Sequence, residues 1–141
     1  MIELFDAVPL NITLAQGFAT GTFRPALHVR HPQLAASSTL LERYAGGYLL
    51  HGHQFISVSP RIRAQGIRIQ FDVSGQPMEA SVQLDDGFYP ATLDLYDLYW
   101  APEYTRMAMR FDLVFRIGHK NHWLTEGQVD LALSHVLELD A

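Results

Sequence analysis

The stretch MRFDLVFRI, residues 109–117, alternates between apolar and polar side chains. Its odd-numbered positions are all apolar, and three of its even-numbered positions are charged: Arg110, Asp112 and Arg116. A period of two is the pattern of a strand with one buried face and one face towards water. The stretch therefore predicts a β-strand whose apolar face packs on a core.

The same alternation recurs along the chain. Residues 67–73 and 78–84 repeat it on either side of a turn-like SGQP segment, which predicts a hairpin. Residues 91–100 and 128–139 are two further strand candidates. The long helices that parallel crossovers need are absent. We therefore expect an all-β fold, a single antiparallel β-barrel or β-sandwich that is lipocalin-like in style, over residues 1–141.

One segment has the signals of a helix. In SSTLLERYAGG, Thr39 and Glu42 have the spacing of a capping box, and Gly46 can end the helix in a left-handed conformation. These signals predict one short helix near residues 39–45.

Composition limits the function classes. The chain has 141 residues, 48% of them hydrophobic, and a net charge of −5. Its ten Lys and Arg residues are scattered, so we expect no nucleic-acid partner and no membrane binding. It has no cysteine, which removes disulfides and thiolate chemistry. The first residues lack the pattern of a signal peptide, so the expected location is cytoplasmic.

Two polar residues lie on apolar stripes and are the candidate catalytic residues. His135 falls between Leu133 and Leu137, where it is either a core histidine with a hydrogen-bond partner or a general base in a cavity. Asp97 continues the stripe of Leu93 and Leu95, so it is either solvated or an inward-facing acid or base.

Aromatic residues are dense between positions 88 and 104. Such side chains suit ligand pockets and protein interfaces, and they also suit a packed barrel end. We therefore predict that Tyr96, Tyr99 and Trp100 line a ligand site, together with Phe55 from another strand.

His51 and His53 are separated by one residue in YLLHGHQFISV, residues 48–58. Side chains at i and i+2 of a strand share a face, so the two histidines can converge on one metal ion. The segment GGYLLHGH resembles the start of the cupin metal motif, which implies that both are metal ligands. The expected glutamate is missing, because QFISVSP follows. The alternatives are structural, interfacial or cavity-lining histidines. His119 and His122 are expected in a solvated turn.

No nucleotide-binding or standard hydrolase motif occurs, and no cofactor is predicted. The first hypothesis is a barrel that binds a small, largely apolar ligand, with or without a cofactor-free isomerase- or cyclase-type reaction. The alternative is a non-enzymatic homo-oligomeric assembly module, because residues 48–58 are apolar on both faces and need a cover. A third possibility is a cupin-like metal-dependent barrel.

Overall fold

The computed structural model describes residues 11–25, 33–36, 38–44, 46–58, 61–84, 87–102 and 106–138; for residues 11–16, 38, 55–58, 61–63 and 133–138 it describes the backbone alone. The described chain forms nine strands: β1 (Asn11–Arg24), β2 (Gln33–Ala36), β3 (Ser38–Tyr44), β4 (Gly47–Val58), β5 (Arg61–Phe71), β6 (Pro77–Leu84), β7 (Gly87–Trp100), β8 (Arg106–Ile117) and β9 (Lys120–Glu138).

All nine strands belong to one antiparallel sheet that curls into a nearly closed barrel. From β3 to β9 each strand pairs with the next one along the chain, and β9 then pairs with β1. The other edge of β1 pairs with two strands in succession, with β3 near its start and with β2 further along. The predicted all-β fold is confirmed as a barrel. Its meander order differs from the jelly roll of cupins, so the topology does not support the cupin resemblance.

The predicted helix near residues 39–45 is wrong. This segment is β3, which pairs with β1 from Ala15↔Thr39 and with β4 from Thr39↔Gly52. The capping signals are worth about 1 kcal/mol in a helix of two turns. Two flanking strands offer a hydrogen bond to nearly every backbone group of the segment, and this tertiary pairing outweighs the local preference. No α-helix, and hence none long and apolar enough to cross a membrane, occurs in the part of the chain that the structure describes.

The inward side chains of the barrel form one apolar core. The alternation that defined the opening stretch is kept along β8: Ile117 at its end is partly buried, and the other inward residues are buried, namely Met107, Met109, Phe111, Leu113 and Phe115. They pack in one cluster with inward residues of the other strands, such as Leu50, Ile69 and Leu131. The described inward side chains therefore form one continuous apolar cluster, as the interior of a barrel of about eight strands allows.

Side chains bridge the barrel at two places where backbone pairing stops. The pairing of β4 with β3 ends at Ser38↔His53. At the next residue of β4, the Gln54 side chain accepts a hydrogen bond from Ala35 N–H of β2 at 2.9 Å. The buried Gln65 amide donates to Gln33 O at 3.0 Å and to Gln54 Oε1 at 2.7 Å. These bonds hold β2 over the ends of β4 and β5.

The second bridge lies between β6 and β7. Pairing of these strands stops at Ala80↔Ala91, although β7 continues to Trp100. The Trp100 indole donates to Gly75 O at 2.9 Å and packs against Tyr48 and Phe71. Trp100 therefore covers the end of the core and ties β7 to the turn between β5 and β6.

The alternation along β8 predicts opposite outcomes for two neighbouring substitutions. Leu113 is fully buried and Val114 faces outward and is partly exposed. Leu113→Ala should lower the free energy of unfolding by about 2–5 kcal/mol, because it leaves a cavity in the core. Val114→Ala should lower it by about 1 kcal/mol or less. Urea unfolding followed by circular dichroism measures both, and equal losses would contradict the assigned faces.

Candidate functional site: a groove on the outer face of the barrel

Two β-bulges lie side by side on the sheet, at the level of Asp112 in β8. In β7 the extra residue is Asp94, because Leu93 pairs with Leu113 and Leu95 already pairs with Asp112. In β9 the extra residue lies at Thr125–Glu126, and it shifts the pairing of β9 with both β8 and β1. Bulges bend and twist a strand, and they often stand next to functional sites.

The bulge in β9 reverses which residues face the core. Leu124 is buried before it, and Gly127, Val129 and Leu131 are buried after it. Uninterrupted alternation from Leu124 would instead have turned Gln128 and Asp130 inward. The extra residue therefore keeps two polar side chains on the outer face, beside those of β8.

Glu126 carries the backbone strain of this bulge. Its φ of 55° is left-handed, and it is the non-glycine residue with positive φ in the described chain. A left-handed L-residue costs roughly 1–2 kcal/mol. The Asp112 carboxylate partly offsets the strain, because its Oδ1 accepts a hydrogen bond from Glu126 N–H at 3.1 Å. Strained residues that the surrounding structure holds in place are common at functional sites.

The outer face at this level has two adjoining depressions, of about 550 Å³ and 390 Å³, which we call the outer groove. Outward side chains stand in rows across β7, β8 and β9, and the depressions lie between them. The three rows are Leu95–Asp112–Glu126, Asp97–Arg110–Gln128 and Tyr99–Ala108–Asp130.

The shape of the groove follows from the sizes of the residues in these rows. The middle row stands between the two depressions and lines both. In the third row the small Ala108 lies between Tyr99 and Asp130, so the surface is low there. Arg106 and Asp130 form one wall of the second depression. The Arg106 guanidinium makes two hydrogen bonds to the Asp130 carboxylate, at 3.0 and 2.6 Å.

The side chains of the middle row are available to a ligand. Within the described chain, no hydrogen bond or ion pair engages the side chains of Asp97, Arg110 or Gln128, and all three are exposed. Adjacent strands are about 4.8 Å apart, so the row presents an acceptor, a group of donors and an amide at regular intervals. The groove as a whole has four carboxylates and two guanidinium groups, so its lining is negative.

The structure places the predicted ligand residues on different faces. Tyr96 and Asp97 line the first depression of the outer groove, and Asp97 and Tyr99 line the second. Tyr96 belongs to the inward row opposite Phe111, although it is 45% exposed. Trp100 packs on the core. Asp97 leaves the stripe of Leu93 because the bulge at Asp94 turns the later part of β7 over, so Asp97 faces outward and is exposed.

Only the backbone is described for two other predicted residues. Phe55 pairs with Ala64 and His135 pairs with Leu14. A further register shift lies between Ala132 and His135. Alternation counted from Leu131 therefore does not extend to His135, and its roles as core residue or base remain predictions.

His51 and His53 are half-buried strand residues, as expected, on the outer face of β4. Their rings stack with centroids 5.8 Å apart. His51 Nε2 lies 3.1 Å from Glu42 Oε1, and the buried Tyr44 hydroxyl donates to the other oxygen of that carboxylate. The guanidinium of Arg68 lies 4.3 Å from the centre of the Phe88 ring.

This arrangement sets the charge of His51. Burial lowers its pKa from 6.5 to about 4, although the nearby Glu42 carboxylate opposes the shift. Burial, together with the hydrogen bond to Glu42, raises the pKa of Tyr44. The two groups are neutral at pH 7. No three His, Asp or Glu side chains of the described ranges are placed to hold a metal ion, and Glu42 is engaged by Tyr44 and His51. The metal role of His51 and His53 stays a prediction.

Several residues of the groove were not predicted. Arg110, Gln128, Ala108 and Glu126 look like ordinary wet-face residues of their strands. The available signal was the break in alternation, since buried positions change from even to odd between Leu124 and Val129. His122 was also misplaced, because it is buried in β9 and stacked on Phe115, whereas His119 is exposed in the turn.

Comparison with known proteins gives no match among family models, curated protein sequences or solved structures. The protein is therefore classified by its structure: a nearly closed antiparallel meander barrel with an apolar core and a groove on its outer face.

The pKa of His51 predicts a pH dependence of stability. Between pH 6.5 and about 4 the unfolded chain binds a proton at this position and the folded chain does not. Stability should therefore fall as pH is lowered through this window, by up to about 3 kcal/mol from this residue, at roughly 1.4 kcal/mol per unit. Urea unfolding at several pH values measures the slope. His51→Gln should remove this part of it, and His119→Gln, at an exposed position, should keep it.

Replacing Glu126 tests the left-handed bulge. Glu126→Gly should raise the free energy of unfolding by roughly 0.5–1 kcal/mol, since glycine removes the strain but adds entropy to the unfolded chain. The matched change Gln128→Gly, in extended backbone, should lower it by a similar amount. Denaturant unfolding compares the two, and equal losses would show that residue 126 does not need positive φ.

Proposed function

We propose that this protein is a ligand-binding β-barrel whose site is the outer groove of β7, β8 and β9. The observation that carries the proposal is the middle row, in which Asp97, Arg110 and Gln128 are exposed and engaged by no protein partner within the described chain. Polar groups that are placed by a rigid sheet and left unpaired are suited to orienting a ligand.

The position of the site differs from that of a lipocalin-like pocket. The described inward side chains pack together in one apolar core, and the described depressions that hold unengaged polar groups lie on the outer face. The groove is also more polar than expected for the largely apolar ligand predicted from the sequence. We therefore propose an amphipathic ligand, with one apolar surface for Tyr99 and Leu95 and polar groups for the middle row.

The charges of the groove narrow the ligand further. A simple anion would face four carboxylates, and a simple cation would face Arg110 at the centre. A neutral molecule with many hydroxyl groups can bind both the carboxylates and the guanidinium groups, because each hydroxyl both donates and accepts hydrogen bonds. A saccharide has this chemistry, and its ring has an apolar face that can lie on a tyrosine. We propose a neutral saccharide as the ligand class.

The proposal is binding and does not extend to catalysis. A cofactor-free reaction needs its reacting groups enclosed away from water. Asp97, the predicted acid or base, is exposed in an open groove, and its neighbour in the row is the guanidinium of Arg110.

The assembly alternative has less support. It was motivated by the apolar outer face of β4, which required a cover. In the described chain Leu49 is buried on that face beside Tyr44, and His51 is only 14% exposed. The chain itself therefore covers much of this face, without a second subunit.

Chemical shifts of the backbone amides test the proposed site. Maltose, cellobiose and lactose at millimolar concentration should shift the amides of Tyr99, Ala108 and Gln128, and glucosamine or glucuronic acid should shift them less. Ala108→Trp fills the low part of the groove and should weaken the response at least about tenfold. Thr92→Trp, an exposed position outside the groove on β7, should leave it unchanged. Shifts of buried core amides alone, or none with any sugar, would refute the proposal.

A further inference from the structure

Strand β7 has an open edge. It pairs with β6 only from Gly87 to Ala91, and from Thr92 onwards β8 is its one strand neighbour in the described chain. The backbone hydrogen bonds that lie outside strand pairing do not involve residues 92–99 either. The stretch beyond the bulge, Leu95–Tyr99, is regular in its pairing with β8.

Unpaired backbone groups line this edge. In an antiparallel pair, successive residues turn their N–H and C=O groups alternately towards one neighbour and the other. Every second residue of Leu95–Tyr99 therefore directs a donor and an acceptor away from β8. The side chains here are accessible, with Leu95 70%, Tyr96 45% and Tyr99 53% exposed. These three side chains are therefore accessible to an approaching strand.

The edge also lacks the usual protection against strand addition. Exposed edges in monomeric proteins are commonly blunted by lysine, proline or a bulge. In β7 a proline and the bulge come earlier, at Pro90 and Asp94, and Leu95–Tyr99 has neither lysine nor proline. The run is instead apolar and aromatic around one acidic residue.

We propose that the open edge of β7 binds an extended peptide segment of a partner protein, which adds to the sheet as a further strand. Main-chain hydrogen bonds supply the attachment in this mode, and alternate side chains supply the selectivity. This function differs from that of the outer groove, since the attachment uses backbone groups of the edge, although Asp97 belongs to both surfaces.

The charges of the edge define the partner segment. Asp94 and Asp97 are the acidic residues of the edge, and both are exposed. Opposite charges across a strand pair stabilise it and like charges destabilise it. The partner strand should therefore alternate basic residues with apolar or aromatic ones. A second copy of this chain fits less well, because it brings the same two acids to the same edge.

Peptides of matched design test the inference. The probe is the fluorescein-labelled peptide Val-Lys-Val-Lys-Val-Lys-Val, and its control is the same peptide with Glu in place of Lys. Fluorescence anisotropy with the intact protein should show binding of the basic peptide, and at least about tenfold weaker binding of the acidic one. Hydrogen exchange of the amides in Leu95–Tyr99 should slow when the basic peptide is bound.

Two charge reversals separate the edge from the groove. Asp94→Lys, at the edge and outside the groove lining, should weaken binding of the basic peptide at least about tenfold. Glu126→Lys, in the groove two strands away, should leave it unchanged. The inference is overturned if neither peptide binds or if both bind equally. It is also overturned if Glu126→Lys abolishes binding while Asp94→Lys does not, or if the amides of Leu95–Tyr99 are not protected. Dimerisation through β7 in sedimentation equilibrium would assign the edge to a second copy instead.

Discussion

The double pairing of β9 is the constraint on which the barrel and its groove both depend. This strand pairs with β8 on one edge and with β1 on the other, and so joins the two ends of the meander. Both pairings pass through the same bulge at Glu126. Without the extra residue, either the register with one neighbour would be lost or polar side chains of β9 would enter the core. The strain at Glu126 is thus the local cost of closing the barrel with an apolar interior.

The groove results from the way in which the barrel closes. Once Gln128 and Asp130 are held on the outer face, they stand level with Arg110 and Ala108 of β8 and with Asp97 and Tyr99 of β7. The second bulge, at Asp94, does the same for β7. Because these side chains belong to regular strands on either side of the bulges, their spacing is set by the sheet and not by a mobile loop. A rigid arrangement of unpaired polar groups loses little entropy when a ligand binds.

The open edge of β7 and the gap between β2 and β4 show two ways in which a barrel deals with incomplete closure. Near β4 the gap beside β2 is bridged by Gln54 and Gln65, whose amides replace backbone partners. Near β7 the Trp100 indole spans the gap, at the very end of the strand. Within the described ranges, the backbone between Ala91 and Trp100 therefore pairs with β8 alone. This contrast is the physical basis for treating one gap as structural and the other as a binding edge.

Local pattern was informative wherever one strand alternates without interruption. Met109–Ile117 determined by itself which residues face the core, since extended backbone sends successive side chains to opposite faces. The absence of long helical segments determined the antiparallel all-β class. The half-buried state of His51 and His53 also followed from their strand. The candidate site was harder to predict, because Asp97 and Tyr99 could be singled out but Arg110, Gln128 and Ala108 could not.

Tertiary structure decided what depends on neighbours. The segment at residues 39–45 has helical capping signals, yet pairing with β1 and β4 makes it a strand, since two ladders of hydrogen bonds outweigh one cap. The bulges at Asp94 and Glu126 decide which face of the sheet Asp97 and Gln128 lie on. In the sequence, the one extra residue of a bulge is visible only as an interruption of the alternation between apolar and polar positions. That these two residues stand on either side of Arg110 is a property of the register between strands. Residues distant in the chain become neighbours only when the barrel closes.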